Sequence, residues 1–171
     1  MITTKPLNFP SDKKNLLIVG IGNSLKSDDG AGPELIKRLR GVILSPAKSG
    51  INSAKNLKNI ELLDTGSAPE NYTKKIKDFK PETIVFIDAV EMKEQPGTVK
   101  IIEEEKITAS FFTTHNIPLN LFLDYIKKET KAEIIFIGIQ PKSTKFSEGL
   151  SEPVKRAVET LVEELVVTVN F

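Results

Sequence analysis

The strongest constraint on the fold is the alternation of short apolar segments with amphipathic ones. Three segments are almost continuously apolar: "LLIVGIG" at 16–22, "TIVFIDA" at 83–89 and "EIIFIGIQ" at 133–140. Runs of this length are typical of strands that are buried on both faces of a parallel sheet. "IELLDT" at 60–65 is a further strand candidate.

Amphipathic helices fill the segments between these strands. The apolar residues of "DDGAGPELIKRLRG" fall on one helical face, which predicts a helix that begins at Asp28 or Asp29 and stops at Gly41. Helical spacing recurs over 69–79, in "IPLNLFLDYIKKE" and after Ser151.

This alternation predicts an α/β fold, a three-layer αβα sandwich around a doubly wound, mostly parallel sheet of five strands. The remaining strand is "PGTVKIIEEE", where apolar and polar residues alternate over 99–103 as in a half-exposed, antiparallel edge strand. A chain of 171 residues is long enough for one core. We therefore expect a flexible leader over 1–14 and a single domain over 15–171, and "PAKSGINSAKNLK" at 46–58 reads as a mobile loop.

Composition excludes several classes of function. Lys and Arg number 24 against 23 Asp and Glu, so no broad cationic surface for nucleic acid is expected. Cysteine is absent, which rules out disulfides, thiolate nucleophiles and Cys-ligated metals. The start of the chain lacks an apolar signal segment, and no apolar run approaches the roughly 18 residues of a membrane span. We expect a cytoplasmic protein without membrane insertion.

Two aspartates are placed where such sheets bind ligands. If the second and third strands flank the first, a crevice forms between the loops after "LLIVGIG" and "TIVFIDA", beyond the carboxyl ends of the strands. These segments carry Asp29 and Asp88. The alternative for Asp28 or Asp29 is a helix cap. Asp88 directly follows an apolar run, so its carboxylate must be paired, metal-bound or solvated at the crevice, and we expect it to be reached by solvent.

The only histidine of the chain, His115, directly precedes a predicted apolar helix. The positive end of a helix disfavours the imidazolium, so His115 is expected to be a neutral ligand or base. Together with Asp29 and Asp88 it would form an open oxygen and nitrogen site that suits nickel, zinc or a similar divalent ion. The alternative is a surface or capping histidine.

Asp64 raises a different question, because "DTGS" at 64–67 matches the catalytic loop of aspartic proteases. Those enzymes are β-rich and bring two such loops together, whereas this chain has one, between a strand and a helix. "GIGNSL" at 20–25 begins like a dinucleotide fingerprint but ends in Leu25 instead of glycine. Both matches are interpreted as accidental.

Six motifs occur in the order found in one known family: "GIGNSLKSDDGAGPEL", "DTGSAPEN", "IVFIDAVEM", "TTHNIPLN", "FIGIQP" and "EPVKRAVETLVEEL". Over 16–165 the chain thereby resembles the nickel–iron hydrogenase maturation endopeptidases. It is most similar to the branch that serves formate-hydrogenlyase and related membrane-bound hydrogenases. The resemblance implies a doubly wound α/β fold and removal of a C-terminal extension from the hydrogenase large-subunit precursor after nickel insertion.

The resemblance also implies that Asp29, Asp88 and His115 form the nickel-sensing and catalytic group, and leaves open which of them is the base. Nickel would be presented by the substrate, so no permanently bound cofactor is expected, and the enzyme is expected to be a monomer. Asp64 would belong to a substrate-facing or structural turn, with Thr65 where the family usually has glycine. The alternative function is a checkpoint or chaperone that binds the large subunit near its nickel site without cutting it.

Overall fold

A computed structural model describes residues 15–43, 59–103, 106–107 and 118–169. Within these ranges the chain forms one five-stranded sheet. The strands are β1 (Leu16–Gly20), β2 (Ile60–Asp64), β3 (Thr83–Ala89), β4 (Val99–Ile102) and β5 (Glu133–Ile139). Their order is β2-β1-β3-β5-β4. β4 is antiparallel to β5 and the other pairs are parallel, which confirms the predicted sheet and its antiparallel edge strand. The predicted leader and the 46–58 loop lie outside the described residues.

Helices cover both faces of this sheet. They are α1 (Ala31–Ile43), α2 (Thr73–Phe79), α3 (Leu119–Thr130) and α4 (Glu152–Val169). α1 and α4 pack over one face, where their apolar residues form a cluster with Ile18 and Val85. α2 and α3 pack over the other face, against Leu17 and Phe86. The predicted three-layer αβα architecture is therefore confirmed. None of the helices in the described ranges combines the length and apolarity that a membrane span needs.

The sheet is buried from both sides because its central strands are apolar at consecutive positions. In β3 the six residues from Thr83 to Asp88 are all buried. Phe86 meets Phe122 of α3 edge to face, with ring centroids 5.9 Å apart. Strands with this pattern have no solvent-facing side, which is what the continuous apolar runs predicted.

The first helix differs from its predicted bounds at both ends. Ser27–Gly30 form a 3-10 turn, so α1 itself begins at Ala31. The predicted stop at Gly41 is wrong, since α1 continues to Ile43. A glycine inside a helix costs about 1 kcal/mol relative to alanine. Here Val42, the next residue, packs against the core cluster of that face, and this contact favours continuing the helix.

Candidate active site

The described structure places the predicted crevice at the point where the strand order reverses. β2 and β3 pair with opposite edges of β1, so the loops that leave β1 and β3 diverge. This is where ligands bind in open α/β sheets. Asp29 lies in the 3-10 turn after β1, and that turn contacts β3, whose penultimate residue is Asp88. The structure thus brings these two segments together, as predicted.

The first turn of α1 lies unusually close to the strand ends. A Cβ atom added to Gly32 would lie 2.3 Å from the carbonyl oxygen of Ile21 and 2.7 Å from that of Ile87. Only glycine permits this approach. The positive N-terminal end of α1 therefore lies beside the residue that precedes Asp88, where it favours negative charge.

Asp29 is half-buried, and a backbone amide holds its carboxylate. The N–H of Asn23 donates to Oδ2 of Asp29 at 3.0 Å and to its carbonyl oxygen at 3.1 Å. The loop can fold back in this way because Gly22 has a φ of +137°, and a Cβ there would lie 1.8 Å from the carbonyl oxygen of Asp29. These contacts fix the orientation of the Asp29 side chain at the crevice.

Asp28, the neighbouring carboxylate, is fully buried, with 0% of its surface exposed. Its Oδ2 accepts hydrogen bonds from the backbone N–H of Lys142 at 2.8 Å, from that of Ser143 at 3.1 Å and from the hydroxyl of Ser151 at 2.8 Å. Its Oδ1 accepts from the backbone N–H of Ser151 at 2.6 Å. Asp28 therefore fastens the loop after β5, and the start of α4, beneath the loop after β1. The sequence did not separate the role of Asp28 from that of Asp29.

Asp88 is also buried, and only 3% of its surface is exposed. The expectation that solvent reaches it freely is therefore wrong. The reason is its position inside β3, where the residues from Thr83 to Asp88 are all buried and Asp88 pairs in register with Gly138 of β5. Strongly buried titratable groups in a crevice are candidates for functional residues.

Gln140 is a positioning residue that the sequence analysis missed. Its Oε1 accepts from the backbone N–H of Met92 at 2.7 Å and from that of Glu94 at 3.2 Å. Its Nε2 donates to Oε2 of Glu91 at 3.1 Å. The buried amide thus shapes the loop that follows Asp88. The available signal was a polar residue directly after the apolar run "EIIFIGI".

Comparison with known proteins identifies the family. A family model described as HycI, hydrogenase maturation protease, matches residues 48–168, more than half of the chain. The chain belongs to this family. It is a protease of hydrogenase maturation.

Individual relatives agree. The hydrogenase 3 maturation protease of Escherichia coli K12 is 37% identical over 150 residues, which cover 87% of each protein. A protein of Methanocaldococcus jannaschii whose name places it among these proteases is 40% identical over 153 residues, 90% of this chain and 87% of the relative. The crystal structure of the nickel–iron hydrogenase maturation protease HycI from Thermococcus kodakarensis superimposes with a TM-score of 0.78 at 32% identity, covering 94% of this chain and 96% of the other.

In this maturation protease the "DTGS" segment forms a turn that joins two loops. Oδ1 of Asp64 accepts the N–H of Gly66 at 2.9 Å. Thr65 is buried, and its hydroxyl donates to the carbonyl oxygen of Gly20 at 3.2 Å. The N–H of Gly22 donates in turn to the carbonyl oxygen of Gly66 at 3.0 Å. Within the described residues Asp64 thus has the structural turn role, one of the two roles implied by the resemblance.

Arg38 ties α1 of the protease to α4. Its guanidinium donates to Glu34 through Nε at 2.8 Å and to Glu159 through Nη1 at 2.9 Å. Burial lowers the pKa of Arg38, but the hydrogen bonds to the two carboxylates outweigh this effect and raise the pKa above its ordinary value. The guanidinium of Arg38 therefore stays charged and ties α4 to α1, the helix in which Gly32 lies close to the strand ends.

His115 lies outside the described residues, so its distance from the two aspartates stays untested. Among the residues that the structure does describe, no group of three or more histidine, cysteine, aspartate or glutamate side chains could hold a metal ion. The set of Asp29, Asp88 and His115 remains a prediction for this protease.

Proposed function

We propose that the protease removes a C-terminal extension from the precursor of a nickel–iron hydrogenase large subunit, after nickel has been inserted. The motifs that resemble the branch serving formate-hydrogenlyase and related membrane-bound hydrogenases favour a substrate of that type, and a 37% identical relative is named for hydrogenase 3. The observation that carries the proposal is the pair of segments with Asp29 and Asp88 at the strand-order reversal of a hydrogenase maturation protease. We place the enzyme in the cytoplasm, as a monomer.

Nickel in this proposal is part of the substrate. Asp29, Asp88 and His115 contact the nickel of the loaded precursor, or orient a water molecule that it polarises onto the scissile carbonyl. A carboxylate takes the proton of this water as general base. The oxygen adds to the carbonyl carbon, the C–N bond breaks, and the released amine receives the proton. The products are the trimmed subunit and the free extension peptide.

The donor set explains why the enzyme would carry no metal of its own. One carboxylate in the 3-10 turn after β1, one in β3 and one imidazole make a weaker cage than the closed four-ligand sites of structural zinc. The precursor supplies the remaining ligands, so an ordered metal site forms only in the complex. Cleavage is then gated by nickel insertion, because only the loaded precursor offers the contacts that stabilise the transition state.

The proposal is tested by incubating the purified protein with apo and with nickel-loaded precursor and measuring the intact mass of the large subunit. We expect a discrete C-terminal peptide to be lost from the loaded precursor alone. Elemental analysis of the free enzyme should find metal far below one ion per chain. Equal cleavage of both precursors would refute nickel gating. A stable complex without any change in mass would instead indicate the non-catalytic checkpoint.

A further inference from the structure

Two large apolar side chains protrude from the loops next to the candidate active site. Phe146 is 78% exposed and Leu25 is 63% exposed. Leu25 lies in the loop after β1, and Phe146 in the loop between β5 and α4. Exposed aromatic side chains are enriched where proteins bind each other. We refer to Leu25, Lys26 and Phe146 as the Leu25/Phe146 patch.

Backbone contacts hold the patch in place. The N–H of Ser147 donates to the carbonyl oxygen of Leu25 at 3.1 Å. The N–H of Ser27 donates to the carbonyl oxygen of Ser147 at 2.8 Å. Lys26 and Ser147 form a β-bridge, and Nζ of Lys26 lies 5.3 Å from the centre of the Phe146 ring. The buried carboxylate of Asp28 fastens the same two loops from below. The backbone of the patch is therefore ordered before binding, which reduces the conformational entropy that binding would cost.

One residue connects the patch with the candidate catalytic carboxylate. Oδ1 of Asn23 accepts the N–H of Leu25 at 3.0 Å, while the N–H of Asn23 donates to Oδ2 of Asp29. Leu25 and Asp29 are therefore held by the same residue of the loop after β1.

The charges around the patch indicate the chemistry of its partner. Lys26, Lys142 and Lys145 lie on the two loops. The acidic residues there are the exposed Glu148, the half-buried Asp29 and Asp28, whose carboxylate is fully buried and hydrogen-bonded. Lys142 and Lys145 are exposed. A partner with an apolar side chain flanked by carboxylates would complement this arrangement.

We propose that the Leu25/Phe146 patch docks the hydrogenase large-subunit precursor through an apolar segment with acidic neighbours. This inference rests on the proposed function, because it takes the precursor as the protein that reaches the crevice. The patch anchors the body of the substrate, and the crevice acts on the scissile bond. Recognition thus has a component that does not depend on nickel.

The test compares two patch variants, Leu25→Ser and Phe146→Ser, with Leu121→Ser. Leu121 is a control matched in residue type and exposure, since it is a 56% exposed leucine on α3, outside the two loops that carry the patch. Precursor affinity is measured by biolayer interferometry, separately from cleavage kinetics. Burying a large apolar side chain contributes about 1.5–3 kcal/mol, which corresponds to roughly a tenfold to hundredfold change in affinity.

We expect each patch variant to raise Kd and KM about tenfold or more, with a smaller fall in kcat and an unchanged Tm. Leu121→Ser should match the wild type. Lys26→Glu should weaken precursor binding as well. The loss of affinity should be smaller at high salt, because salt screens the charge interaction. Wild-type Kd in both patch variants would overturn the proposal. An equal loss in Leu121→Ser would overturn it too, because the effect would not be specific to the patch.

Two further outcomes separate the proposals from each other. Patch-dependent binding of a precursor that the wild type never cuts would refute the protease function on this substrate and support the docking surface. If the wild type cuts the precursor, and the patch variants bind and cut it equally well, the protease function is supported and the docking surface is refuted. A wild-type dimer that Phe146→Ser converts to a monomer, seen by sedimentation velocity, would assign the patch to a second copy of this chain and overturn the docking proposal.

Discussion

Replacing Asp28 with asparagine should destabilise the protein strongly, although the two side chains have almost the same shape. The carboxylate is fully buried and accepts four hydrogen bonds, three of them from backbone N–H groups. An asparagine has one acceptor oxygen. With this oxygen at the Oδ2 position, three donors keep their partner, but the amide NH2 then faces the N–H of Ser151.

The size of the expected destabilisation follows from the hydrogen bonds that the asparagine loses or weakens. A hydrogen bond to a charged group contributes about 1.5–3 kcal/mol, and a neutral one about 0.5–1.5 kcal/mol. The variant loses one charged bond outright and weakens the other three, which predicts a loss of roughly 3 kcal/mol or more in the free energy of unfolding. A domain of this size loses about 2–4 °C of Tm per kcal/mol, so Tm should fall by roughly 6–12 °C.

Urea denaturation and thermal unfolding measure this change, with Asp78→Asn as the control. Asp78 forms an exposed pair with Lys74, whose Nζ lies 2.6 Å from its Oδ2. Such surface pairs contribute about 0–1 kcal/mol. Hydrogen exchange should also rise at the amides of Lys142, Ser143 and Ser151. A loss below about 1 kcal/mol for Asp28→Asn, or a loss equal to that of the control, would refute the assignment of Asp28 as the fastener of these loops.

The other variants concern the crevice and its supports. Asp88→Asn and His115→Ala should each lower precursor processing by at least about a hundredfold with a nearly unchanged circular dichroism spectrum; near-normal processing by either would remove that residue from the site. Asp29→Glu should keep measurable activity in the same mass assay, because the charge is retained, whereas an active Asp29→Ala would leave this residue as a loop contact only. Asp64→Asn should remain partly active, since its amide oxygen can still accept from the turn, and complete loss with unchanged folding would reopen the aspartic-protease reading. Gly32→Ala should lower Tm by several degrees, because its Cβ would lie within 3 Å of backbone oxygens, and an unchanged Tm would contradict the close approach.

The sheet could be predicted from the sequence because its signals are local. A run such as "TIVFIDA" specifies a buried strand by itself. The flanking of the first strand by the second and third was only a condition of the prediction, and the observed strand order meets it. The position of the crevice follows from the sheet topology, because ligands bind in open α/β sheets where the strand order reverses. The end of α1 was mispredicted because the contact of Val42 with the core is a tertiary effect, and the local glycine signal at 41 does not contain it.

The roles within the crevice could not be predicted in the same way. Asp28 and Asp29 are adjacent carboxylates at one helix start, and local rules describe both as possible caps. Their difference lies in partners: the hydrogen bonds of Asp28 reach residues 114 to 123 positions later, while the Asn23 bond of Asp29 spans six. The hydrogen bond from Met92, in the loop after β3, to Gln140 spans 48 residues. Contacts at such distances leave no periodic trace in the sequence.

The short stretch from Asn23 to Asp29 has consequences for how substrate binding is coupled to chemistry. It contains a proposed docking residue, Leu25, the buried fastener Asp28 and the candidate catalytic residue Asp29, with Asn23 bonded to both Leu25 and Asp29. A protein that docks on Leu25 and Phe146 therefore acts on a segment that also orients a carboxylate of the crevice. Binding free energy from a region remote from the scissile bond can in this way support the reacting geometry, as expected for a protease that must recognise one folded precursor among many proteins.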